Sequence, residues 1–114
     1  MGTPVSGARF EREIMGRVMS LRLADGRLVQ AQYQPDGTAA YVGTPFRRSG
    51  RWRPWDKGFC ALYPWIGASP AVSRTYGGSP DAEGYRCYAV RETDGYYVLF
   101  DQGGVYVATL SPLS

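Results

Sequence analysis

Hydrophobic and polar positions change period once along this chain, near Arg17. Before it, Ser6–Gly16 has a helical spacing. Phe10 and Ile14 lie four residues apart and share a face, Ser6 suits an N-cap, and Gly16 suits a C-terminal stop. A helix this short is expected to plug an end or edge of a sheet. From Arg17 the period is two. Met19, Leu21 and Leu23 alternate with Val18, Ser20 and Arg22. Val29, Ala31 and Tyr33 alternate with Gln30, Gln32 and Gln34. Such alternation predicts half-buried strands.

The breaks between these runs are turn chemistry. Ala24-Asp25-Gly26, Pro35-Asp36-Gly37, Asp56-Lys57-Gly58, Thr93-Asp94-Gly95 and Asp101-Gln102-Gly103-Gly104 separate the segments. Asp bonds locally to the backbone and Gly accepts positive φ, so Asp-Gly between alternating runs predicts a hairpin. Further strands are predicted over Thr38–Val42, Arg47–Arg53, Phe59–Tyr63, Tyr85–Glu92, Tyr96–Phe100 and Val105–Leu110. Pro64–Gly84 is the long irregular stretch. The expectation is an all-β domain over residues 6–114. It is an antiparallel meander of about eight strands, a small barrel or a two-layer sandwich, with one short N-terminal helix. Residues 1–5 are expected to be a disordered N-terminus or a cloning remnant. They show neither the basic n-region nor the apolar h-region of a leader.

Composition narrows the chemistry. The chain has 114 residues, a hydrophobic share of 44% and a formal charge of +3, which suits one globular domain rather than a disordered chain. It contains no His, so the commonest general base and metal ligand are missing. The only lysine, Lys57, sits in a predicted turn with no Ser-x-x-Lys before it, which argues against Ser–Lys catalysis. Most aspartates fall in predicted turns, and Asp81 and Glu83 share the irregular stretch. No zinc or calcium spacing and no phosphate-binding glycine motif occurs. No cofactor, metal or catalytic residue is assigned, and the chain is expected not to be an enzyme.

Two cysteines, Cys60 and Cys87, leave two readings: buried free thiols, or one disulfide. They fall on consecutive predicted strands, which favours the bridge. It would close a loop of roughly 28 residues, worth about 3–4 kcal/mol in the chain-entropy model.

One stretch concentrates candidate binding chemistry. Arg47, Arg48, Arg51, Arg53 and Lys57 interleave with Phe46, Trp52 and Trp55. Guanidinium forks grip phosphate or carboxylate, and aromatic faces stack on bases or sugar rings. Parity puts Gly50 and Trp52 on one face and Arg51 and Arg53 on the other. Tyrosines crowd the last three strands, with Tyr96 on the parity of Val98 and Phe100, and Tyr97 on that of Leu99.

The order Ser6-Gly7-Ala8, Pro35-Asp36-Gly37-Thr38, Gly50-Arg51-Trp52, Cys60, Arg86-Cys87-Tyr88-x-Val90 and Asp101…Gly104 resembles small exported proteobacterial proteins of unknown function. The resemblance covers Ser6 to Leu110. It implies a leader peptide, a periplasmic or secreted location and the Cys60–Cys87 bridge, and it carries over no activity. The Pro64–Gly84 stretch departs from it as an expansion, which adds Trp65, Arg74 and Tyr76 as candidate binding residues.

The resulting expectation is a non-enzymatic exported binding module using the basic-aromatic strand face and residues 64–84. An envelope protein or an anionic envelope polymer is the expected partner, with nucleic acid disfavoured. Two alternatives stand beside it. One is an inhibitor-like or structural envelope protein that inserts residues 64–84 into a partner. The other is a His-free enzyme using carboxylates or tyrosines.

Overall fold

The computed structural model describes residues 2–43, 47–64, 76–77 and 80–113. In chain order the elements are β1 (Thr3–Val5), α1 (Gly7–Glu13), β2 (Val18–Leu23), β3 (Leu28–Tyr33), β4 (Thr38–Val42), β5 (Arg47–Trp55), β6 (Gly58–Leu62), β7 (Tyr85–Thr93), β8 (Tyr96–Phe100) and β9 (Tyr106–Pro112). From β2 to β9 each strand pairs antiparallel with the next, and β9 returns to pair with β2 through Leu21↔Leu110 and its neighbours. The meander is therefore a closed eight-stranded barrel, not a sandwich. Closure leaves none of the eight strands as an open edge.

The period-two residues face the lumen. Met19, Leu21, Ala31, Tyr33, Tyr41, Trp52, Phe59, Tyr88, Leu99 and Leu110 are all buried. Large and small residues complement one another across strands. Tyr33 sits opposite Ala39, Ala39 opposite Gly50, and Trp52 opposite Ala61. At Gly50 a Cβ would meet the Leu62 carbonyl at 2.5 Å and the Tyr41 ring at 3.3 Å, so the glycine makes room for the tyrosine.

Helix α1 closes one end. Ser6 caps it, its hydroxyl accepting from the Arg9 amide at 3.2 Å. The helix stops at Glu13, three residues short of the expected Gly16, and Gly16 turns the chain at φ +82°. Phe10 and Ile14 are fully buried. The Phe10 ring stacks on Phe59 at 4.4 Å and meets Tyr33 edge-on at 5.6 Å. Gly7 allows backbone contact, since a Cβ there would lie 2.4 Å from the Trp55 carbonyl oxygen.

From the expected irregular stretch, Tyr76 reaches the core. Tyr76 packs on Tyr63 with ring centroids 5.3 Å apart, and the Tyr88 hydroxyl donates to the Tyr76 carbonyl.

Residues 3–5, expected to be disordered, form a strand. Thr3–Val5 pair with β7 as Thr3↔Glu92 and Val5↔Val90, and Val5 is buried. The reason is a length mismatch: β6 accompanies β7 only as far as Gly58↔Ala89, and β1 takes up the edge beyond. Three residues are too few to show a period, so this strand was invisible in the pattern. The remaining boundary shifts are small: β5 runs on to Trp55 and β9 to Pro112.

Cys60 and Cys87 are direct cross-strand partners on β6 and β7 and form a disulfide. No described helix is long and apolar enough to cross a membrane.

If Phe10 is the plug that completes the lumen, Phe10→Ala should cost about 3–5 kcal/mol, the usual range for emptying a buried aromatic site. Denaturant unfolding followed by tryptophan fluorescence measures it. A loss below about 1 kcal/mol would mean that the helix only leans on the barrel.

Candidate functional site

Strand β5 carries most of the sequence candidates, and the structure separates them. Arg47 and Arg48 are exposed where the strand begins, and Trp55 ends it. Eight residues of strand put about 26 Å between Arg47 and Trp55. Arg51 faces outward beside Asp36. The carboxyl of Asp36 is held below the usual range by the hydroxyl and amide of Thr38, and Arg51 adds to this. Arg53 is committed. It bridges Asp81 at 3.0 Å and Glu83 at 3.2 Å, and its guanidinium lies 4.1 Å from the Tyr85 ring centroid. The two acids of the irregular stretch thus clamp a strand arginine. Asp81 Oδ1 also accepts the amides of Glu83 and Tyr85. Arg53 is thus engaged with acids, while Arg47, Arg48 and Arg51 stay exposed.

Tyr76 is an internal anchor, half-buried against the core, rather than a displayed side chain. Phe46, Trp65 and Arg74 lie outside the described residues.

Trp55 has a different setting. The register runs Trp55↔Gly58↔Ala89↔Phe100 across β5, β6, β7 and β8. Cross-strand partners share a face, so Ala89 stands between the two aromatic residues on the outer wall, while Gly58 lets β6 pass close to the Tyr88 carbonyl and Val90 of β7. The result is a cleft of about 390 Å³ bounded by Trp55, Lys57, Ala89, Arg91, Phe100 and Asp101. The Lys57 ammonium lies 5.8 Å from the Trp55 ring centroid, within cation–π reach. The Arg91 guanidinium is anchored by the Gly2 carbonyl at 3.4 Å. Asp101 Oδ1 accepts the amides of Gly103 and Val105, which fixes the carboxylate at the rim. Of these residues only Trp55 and Lys57 belong to the basic-aromatic stretch. Ala89, Arg91 and Phe100 carry outward parity in sequence. What the sequence lacked was the pairing that brings them beside Trp55.

The remaining polar groups serve the fold. Tyr33, Tyr41, Tyr63 and Tyr88 point into the lumen. Desolvation raises their phenol pKa values, that of Tyr63 to about 12. Arg86 is buried in the same wall. At the helix end, Arg9 bridges Glu13 at 2.6 Å and also Glu92, and the Tyr97 hydroxyl donates to Glu13 at 2.9 Å. This network ties α1 to β7 and β8. Asp25 and Asp36 accept turn amides from Arg27 and Thr38. Among the described residues no three Cys, Asp or Glu side chains gather as metal ligands.

The Arg9 network has a pH signature. The Arg9 hydrogen bond holds the Glu13 carboxyl below its usual range against a smaller opposing effect of burial. A depressed carboxyl contributes stability that is present above the unfolded pKa of about 4.3 and lost as pH falls through the lower folded value. Glu13→Gln should therefore be less stable than the parent at pH 7. The gap should close as pH is lowered from about 4.3. Denaturation midpoints across pH 7 to 3 test this, and a gap that stays constant rules out a titrating role for Glu13 in helix docking.

Comparison of the chain with protein-family models, with curated proteins and with solved structures finds no match.

Proposed function

We propose that the chain is a non-enzymatic, exported binding module that holds an anionic ligand of the cell envelope in the Trp55 cleft. The observation that carries this reading is the composition of the cleft. It combines the aromatic residues Trp55 and Phe100 with Lys57 and Arg91 around Ala89, and Asp101 borders it. Its volume falls within the range of about 300–1,000 Å³ typical of ligand sites. Among the described residues, Phe10, Tyr33, Phe59 and Tyr88 are buried in the lumen. This favours a ligand on the outer wall over an interior carrier role.

Two further points support the reading. A disulfide persists in oxidising compartments, which fits export. The described parts of the irregular stretch are tied inward through Tyr76 and across to Arg53 through Asp81 and Glu83. This favours the cleft over an inserting loop as the binding element.

Trp55→Ala and Lys57→Ala should each reduce capture of anionic envelope polymers by about tenfold or more, the loss expected on truncating a central contact. Arg47→Ala with Arg48→Ala, at the far end of β5, should leave capture close to the parent value. Binding of purified protein to immobilised lipopolysaccharide and to peptidoglycan measures both, alongside thermal melts. Equal capture by the parent and the Trp55 and Lys57 variants overturns the assignment to this cleft.

A further inference from the structure

The cleft does not end at Lys57 and Arg91. A second hollow, of about 380 Å³, adjoins it and shares Lys57, Ala89 and Arg91, and it continues to Pro4, Ser6 and Asp56. The continuity comes from the strand exchange on β7. β6 leaves the sheet at Gly58, β1 enters at Val5, and Ala89 and Val90 lie at the handover. The β5–β6 turn crosses over this gap, with the Lys57 carbonyl accepting the Val90 amide at 3.0 Å. Two hollows therefore meet at one pair of cations.

Charge decides what kind of anion fits. Lys57 and Arg91 stand between the hollows, while Asp101 borders one and Asp56 the other. Two cations flanked by two carboxylates repel a chain that carries charge at every position, such as polyphosphate or nucleic acid. They suit a chain with one carboxylate per ring and hydroxyl donors on either side. The hydroxyls bond to Asp101 and Asp56, and the carboxylate to the cations. Trp55 and Phe100 supply apolar walls for a sugar ring in the first hollow.

From this geometry we infer that the paired hollows form a two-subsite groove for an acidic oligosaccharide, at least two sugar units long and bearing uronic-type carboxylates. The inference rests on the binding reading above and specifies its ligand. The Lys57–Arg91 pair holds a carboxylate near the junction of two units. Neutral stretches of the same glycan make only the ring and hydroxyl contacts.

Titration calorimetry with galacturonate, digalacturonate, trigalacturonate, methyl-esterified trigalacturonate and tripolyphosphate tests this. Affinity should rise by about tenfold or more from one unit to two or three, because the second subsite is engaged without a second loss of freedom. Methyl esterification should weaken binding by about tenfold, one charge-assisted contact or more. Tripolyphosphate should bind more weakly than trigalacturonate. Ala89→Leu, which fills the shared floor and leaves Trp55 and Lys57 in place, should abolish trigalacturonate binding while the thermal melt stays near the parent value. Ala89→Gly, which leaves the shared floor open, should bind trigalacturonate as the parent does, and the melt of Ala89→Leu distinguishes a filled floor from a fold defect.

Equal affinity for one unit and three, indifference to esterification, or full binding by Ala89→Leu overturns the groove. If tripolyphosphate or lipopolysaccharide binds in a Trp55-dependent way and the uronates do not, the acidic-saccharide assignment fails while the binding reading stands. If no anionic probe depends on Trp55, both fail.

Discussion

An eight-stranded barrel is wide enough only for the side chains that fill it, and everything else in this molecule follows from how that filling is done. The lumen takes aromatic rings from five successive strands, Tyr33, Tyr41, Trp52, Phe59 and Tyr88, and another from the helix, Phe10. Phe10 touches Tyr33, Trp52 and Phe59, with Phe59 nearest at 4.4 Å. Large rings in a narrow tube need small partners beside them, hence Ala39, Gly50 and Ala61 at facing positions. The packing is mutual. The helix is too short to be stable alone, and it holds its shape because its apolar face completes the lumen.

A lumen filled in this way leaves the outer wall to carry the recognition proposed above. On the wall of a barrel, neighbouring strands bring together residues that are distant in sequence, and a row of cross-strand partners is the natural unit of a surface site. Trp55, Gly58, Ala89 and Phe100 form such a row. Ala89 in mid-row leaves a depression between Trp55 and Phe100, at a place where the β8–β9 register also shifts between Leu99 and Phe100. The cleft thus combines residue size at a register position with a local irregularity of the sheet.

The period-two segments, the Asp-Gly turns and the helical pair Phe10 and Ile14 made the strand count, the meander and the plug readable from sequence. So was the bridge, because consecutive strands in a meander are neighbours. Barrel closure was not readable, since nothing in residues 18–23 or 106–112 marks them as partners. β1 was missed because its three residues have no period, and its existence depends on the length of β7. The proposed cleft was half readable. Trp55 and Lys57 stand in the basic-aromatic stretch, but Arg53 was grouped with them on parity alone. Its engagement with Asp81 and Glu83 is a tertiary pairing across 28 and 30 residues. Tyr76 was placed on a display loop because a Pro- and Gly-rich stretch resembles one. In fact its ring is drawn in by Tyr63, a contact with no local sequence signal.

Trp55 links the two halves of this account. Its backbone lies against Gly7, so the helix that plugs the lumen also fixes the end of β5. Its side chain lies on the outer wall with Lys57 beyond it. The facing side of the cleft comes from β7 and β8, which the Arg9–Glu13–Glu92 bridges and the Tyr97 hydrogen bond tie to the same helix. Both walls are therefore tied to one helix. In the proposed binding role, a ligand would meet walls already held in place, which lowers the entropic cost that otherwise limits small surface sites. The short helix, which carries no binding residue of its own, is in this sense the part of the fold that keeps the cleft in shape.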